Sequence, residues 1–311
     1  MQHDIAQRHS YSVIISLISA YLIYAAICLI LKSNPATANY AGILLTTGDT
    51  ILNVIIVVMT FWLWKNASSK EAKLPFGFFA LSFSFATIPN ALYQILFNIL
   101  HLNASYFSVE NIQLKIHHFL YAICLLFEFA AWASIATHIF SAPKKSKAYK
   151  TSAVSILVVI FLSVFLWKYN QTDLSLVNKY FESYITSFYI INFVLAMLCL
   201  AVCKNKSLFY LSLGYMMIVG ADLIMEFGFM SQYLGTGSMF DTIWFLGLLF
   251  VFYGFWNFKK NDEYKLSPAL WVSKPNSIKT QSAIWSFVLC SACLSIFLAA
   301  SNFFTDTSLF F

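Results

Sequence analysis

Long apolar runs, separated by short polar stretches, fill nearly the whole chain. They fall at about 11–31, 41–64, 75–101, 117–140, 151–168, 183–203, 207–230, 239–258 and 281–303, and most are long enough to cross a bilayer core as one helix. The fifth is short for a span. The third is long and carries Pro89 near its middle, where the lost helix hydrogen bond predicts a kink. No soluble domain interrupts the pattern. The expected architecture is all-α and polytopic: an eight-helix transmembrane bundle over 1–258, a cytoplasmic interfacial loop over 259–280, and a ninth transmembrane helix with a short outer tail over 281–311.

Loop charges orient these spans. With the N-terminus in the cytoplasm, Lys65, Lys70, Lys73, the run Lys144 to Lys150, Lys204, Lys206, and Lys259 to Lys279 all fall on the inner side. Only Lys32, Lys115, Lys168 and Lys179 fall outside. No inner segment carries fewer basic residues than an outer neighbour and most carry more, as the positive-inside tendency requires, and adding or removing one span would scramble that alternation.

Composition sharpens the class. Of 311 residues, 60% are hydrophobic and 10% charged, and the mean hydropathy is +0.73; soluble domains carry roughly 25% charged residues. A membrane β-barrel would show short alternating strands instead of continuous runs. The net charge of +6 sits in short loops, so it reads as topology signal and lipid-headgroup contact, with no nucleic-acid partner. The first run exceeds a signal-peptide core and lacks a small-x-small cleavage site, so a retained helix is expected. All six cysteines lie in apolar runs. Cys290-x-x-Cys293 has no neighbouring histidine or second pair, so packing is the expected role.

Acidic and amide side chains inside the spans are the unusual feature, because each charge at membrane depth costs about 2.5–3.5 kcal/mol on insertion scales. They recur at helical spacing. Asp49 and Asn53 form one stripe on the second span, and Asn90, Gln94, Asn98 and His101 form another on the third. His117, Tyr121, Cys124 and Glu128 share a face of the fourth, Asp222 and Glu226 of the seventh, and Asp241 and Trp244 open the eighth. At a rise of about 1.5 Å per residue these groups stack in layers within the outer half of the membrane, above an almost apolar inner half. No buried lysine or arginine is placed to neutralise them. The expected site is therefore an outward-facing vestibule lined by Asp49, Asn53, Gln94, Glu128, Asp222, Glu226, Asp241 and Trp244, taking a proton, a small cation or a cationic small ligand. His117 and His118 diverge by about 100° on a helix, which disfavours a rim metal site. No His-Glu-x-x-His, Gly-x-Ser-x-Gly or glycine-rich phosphate loop occurs, so neither enzymatic activity nor a cofactor is expected.

The run from Gly220 to Gly247 resembles the last two helices of the multi-helix membrane sensing modules that precede diguanylate cyclase and histidine kinase domains in bacteria. Asp222, Tyr233, Gly235, Asp241, Trp244 and Gly247 carry that resemblance. It implies a bacterial inner-membrane sensor whose eighth helix ends in the cytoplasm near Lys259. Where such proteins attach an output domain, this chain continues into another apolar run, which implies a separate signalling partner. The alternative expectation is a proton- or cation-coupled transporter of small solutes that uses the same acids.

Overall fold

The computed structural model describes residues 2–34, 36–93, 112–139, 146–171, 176–226 and 239–272. The apolar runs there form eight α-helices: α1 (Gln2–Ser33), α2 (Ala38–Asn66), α3 (Lys70–Tyr93), α4 (Ile112–Ile139), α5 (Ser146–Gln171), α6 (Leu176–Val202), α7 (Lys206–Glu226) and α8 (Met239–Lys260). Over the described residues, seven of them, α1 to α6 and α8, are long and apolar enough to cross a membrane. The chain is a helical membrane protein by this measure. The expected ninth span, 281–303, lies outside the described residues. The helices overrun the apolar runs: α6 starts at Leu176 rather than near 183, because backbone hydrogen bonding continues through flanking polar residues.

Neighbour relations close six helices into a ring in the order α2, α3, α4, α6, α7, α8 and back to α2. Helix α1 lies outside against α2 and α8, and α5 lies outside against α6. The outward-facing surfaces show why this sequence needs lipid. Ile15, Leu22, Ile23 and Ile30 of α1, Val54 and Val58 of α2, and Val158, Leu162 and Leu166 of α5 are all exposed. So continuous an apolar surface is rare on a soluble monomer. Tyr24 attaches α1 by donating to the Leu44 carbonyl (2.9 Å) and stacking on Phe245 (ring centroids 4.2 Å apart).

Inside the ring an aromatic cluster fills the axis. Phe79 and Phe83 of α3, Trp132 of α4, Tyr215 of α7 and Phe255 of α8 meet at centroid separations from 5.1 to 6.1 Å, mostly edge to face. Such pairs add about 0.5–1.5 kcal/mol each beyond simple burial.

Helices α7 and α8 approach at backbone distance. A Cβ built on Gly214 would lie 2.5 Å from the Gly247 carbonyl oxygen, and one on Gly254 would lie 2.7 Å from the Leu211 nitrogen. Small residues at such a seam let two helices gain packing that lipid tails cannot supply. Gly247, one of the positions in the resemblance above, has this steric role: its Cβ would sit 2.9 Å from the Gly214 carbonyl oxygen.

Asp262 adopts a left-handed conformation (φ 55°), which an aspartate tolerates, and the chain turns back on the bundle through two short 3-10 turns, Glu263–Lys265 and Pro268–Leu270. Trp271, 1% exposed, packs on Phe76 and Phe258 with centroids 5.3 and 4.8 Å away and donates from its indole nitrogen to the Glu263 carbonyl (3.1 Å). The Trp271 carbonyl accepts from the Lys204 amide (2.8 Å), and Val272 bridges Cys203. Ser207 donates to the Glu263 carboxylate, and Ser267 donates to Glu71 (2.7 Å). This strap, residues 261–272, ties together the ends of α2, α3, α7 and α8 where Lys65, Lys70, Lys73, Lys204, Lys206, Lys259 and Lys260 gather. Composition marks the segment as polar, but Tyr264, Trp271 and Val272 are buried. Those three apolar side chains outweigh the polar majority.

Candidate functional site

Asp49, Asn90 and Asp222 lie toward the end of the ring opposite the strap. Tyr121, on the inner face of α4, is their meeting point. Its hydroxyl donates to Asn90 Oδ1 on α3 (3.2 Å). The same phenol lies within electrostatic range of Asp222 on α7, Asp49 on α2 and Glu128 two turns along α4. Asp49 also faces Tyr24 and Cys28 of α1, and Asn53 is buried one turn further along α2. One phenol thus feels three acids that are distant in sequence.

Glu128 has the most fully defined surroundings. One carboxylate oxygen, Oε1, accepts from Ser82 Oγ (3.3 Å) and from Cys124 Sγ (3.7 Å), and Ser82 and Cys124 are themselves 3.4 Å apart. The other, Oε2, accepts from Asn192 Nδ2 on α6 (3.1 Å), which also lies 3.3 Å from the Leu125 carbonyl. Tyr215 presents its hydroxyl to Glu128 and Ser82 without reaching hydrogen-bond geometry, so this buried oxygen has no partner, and neither does Asn192 Oδ1. No Lys, Arg or His among the described residues forms an ion pair with Glu128. The ion pair at this end, Lys168 with Glu182 (3.8 Å), joins α5 to α6 instead.

The other expected site residues divide. Trp244 is near this layer, but its indole nitrogen donates to the Ile218 carbonyl (3.2 Å), so it fastens α8 to α7. Beside it, Thr242 of α8 and Tyr21 of α1 share a hydrogen bond (3.0 Å). Glu226 and Asp241 belong to the ends of α7 and α8, and their side chains lie outside the described set. Gln94 lies outside the described residues, as do Asn98 and His101. Among the described residues, no three His, Cys, Asp or Glu side chains converge to hold a metal ion.

Sequence reasoning passed over Ser82 and Asn192. Each is an isolated polar residue in an apolar helix and forms no periodic stripe. The one usable signal was an amide in the middle of α6, which needs a partner at that depth. Comparison with family models, with curated proteins and with solved structures finds no match to this chain.

Proposed function

We propose that this protein is a membrane-embedded sensor that binds a small cationic ligand at the acidic end of the ring and reports occupancy at the lysine-rich strap end. The observation that carries this reading is the asymmetry of the ring. Asp49, Glu128 and Asp222 gather around Tyr121, whereas Trp271, Phe76 and Phe258 pack the other end shut. A carrier must open to both sides in turn, and the axial aromatic cluster stands across that path. A binding module needs access from one side only. The positive-inside tendency puts the strap end in the cytoplasm, hence the N-terminus inside and the acids facing out. The resemblance of 220–247 to bacterial sensing modules fits a cytoplasmic membrane location and a separate partner reading the lysine-rich face.

Single cysteines at positions 49 and 222, in a background lacking the native cysteines, test this reading with a membrane-impermeant maleimide. Labelling from the outer side alone is expected in right-side-out and inverted vesicles. Labelling from both sides, together with solute uptake abolished by Asp222→Asn, would establish the transporter instead. Labelling from neither side would leave the acids as internal helix fasteners and remove both readings.

A further inference from the structure

The surroundings of Glu128 are built from four helices. Ser82 comes from α3, Cys124 and Glu128 from α4, Asn192 from α6 and Tyr215 from α7. Two oxygens there, Tyr215 Oη and Asn192 Oδ1, are buried without a partner, on side chains 1% and 0% exposed. Buried polar atoms in native structures are ordinarily satisfied, by protein, water or an ion.

Geometry narrows the choice. The 3.3 Å between Ser82 Oγ and Glu128 Oε1 is long for a hydroxyl–carboxylate hydrogen bond, whose usual range is about 2.5–3.0 Å. It fits two oxygens on one coordination shell. Ligands at right angles around an ion at about 2.4 Å stand about 3.4 Å apart. Tyr215 Oη, facing the same two residues, supplies a third oxygen. Asn192 Nδ2 holds the far carboxylate oxygen and so fixes the plane of the group. Charge narrows it further. A single carboxylate balances a single positive charge, and a divalent ion would normally draw several. A soft metal would want more than the lone Cys124 thiol.

We propose that Ser82, Glu128 and Tyr215, positioned by Asn192, form a binding site for a monovalent alkali cation, with sodium the best match in size. The proposal rests on the sensing reading for its route of entry, through the polar layer around Tyr121. The bound ion then joins α3, α4 and α7, and its loss frees those helices to repack.

The full-length protein, purified in lipid nanodiscs, is melted in sodium chloride and in choline chloride at equal ionic strength, following tryptophan fluorescence. The expected result is a saturable rise in melting temperature with sodium. That rise is absent in Glu128→Gln, and its half-saturation concentration moves up about tenfold in Tyr215→Phe, the cost of one coordinating oxygen. If Glu128→Gln fails to fold, the Tyr215→Phe midpoint decides. Identical melting of the wild type in both salts overturns the proposal and leaves a proton as the partner of Glu128. An unshifted Tyr215→Phe midpoint overturns it as well. The vesicle labelling above separates the two failures: one-sided labelling with no sodium response sinks only the ion site, and a sodium response without labelling sinks only the sensor.

Discussion

Gly214 and Gly220 sit on the same helix, yet replacing each with alanine should move stability in opposite directions. At Gly214 the new methyl group would land 2.5 Å from the Gly247 carbonyl oxygen and 2.7 Å from the Val251 nitrogen. Both obstacles are backbone atoms of α8, which no rotamer change can clear. Cβ atoms essentially never come within 3.0 Å of such atoms, so α7 and α8 must separate by at least 0.5 Å along this contact. Overpacking of this kind costs about 1–3 kcal/mol. Replacing a helical glycine by alanine returns about 0.5–1 kcal/mol of backbone entropy, which only partly offsets that cost. The net expectation for Gly214→Ala is a loss of about 1–2 kcal/mol. At Gly220 the nearest neighbour of a built Cβ is Phe193 Cε2 at 3.7 Å, an ordinary contact, so the entropy term stands alone and Gly220→Ala should gain up to about 1 kcal/mol. Reversible unfolding in mixed micelles measures both. A Gly214→Ala protein as stable as the wild type would refute the backbone-contact seam. So would a Gly220→Ala protein that loses as much as Gly214→Ala.

Two further expectations concern the strap. Trp271→Ala removes a fully buried indole from between Phe76 and Phe258 and should cost about 3–5 kcal/mol locally, seen as faster tryptic cleavage at Lys265. Burial pushes the Glu263 carboxyl above the ordinary glutamate range. Its folded form therefore holds a proton more tightly than the unfolded chain, and the stability of this attachment is full at low pH and falls as pH rises through the folded titration. Amide protection across 261–272, with the intrinsic pH dependence of exchange divided out, should accordingly be higher at mildly acidic pH than at neutral pH, with that difference absent in Glu263→Gln.

Much of this architecture was readable from periodicity. Each described helix answers to an apolar run, because in lipid a backbone can satisfy its hydrogen bonds only within a helix or a closed barrel. The stripes on the second and seventh runs put Asp49 and Asp222 in one layer and that on the fourth put Glu128 in a deeper one, and Tyr121 lies within electrostatic range of all three. Periodicity could not supply lateral order. That α4 neighbours α6 while α5 stays outside depends on shape complementarity between whole helices. For the same reason no stripe announced that Asn192 of α6 meets Glu128. The strap was hidden for a different cause: Tyr264, Trp271 and Val272 are spaced by chain reversals, and neither helix nor strand spacing flags them.

The glycine seam has a mechanical corollary. With backbone pressed on backbone at Gly214, Gly247 and Gly254, α7 and α8 cannot slide or roll past one another without opening the contact, so they move as one stiff beam. One end of that beam carries Asp222, and the other carries Lys259, Lys260 and the attachments of Glu263 to Ser207. A tilt imposed at the acidic end therefore arrives at the strap undiminished, with the aromatic cluster around Tyr215 as its fulcrum.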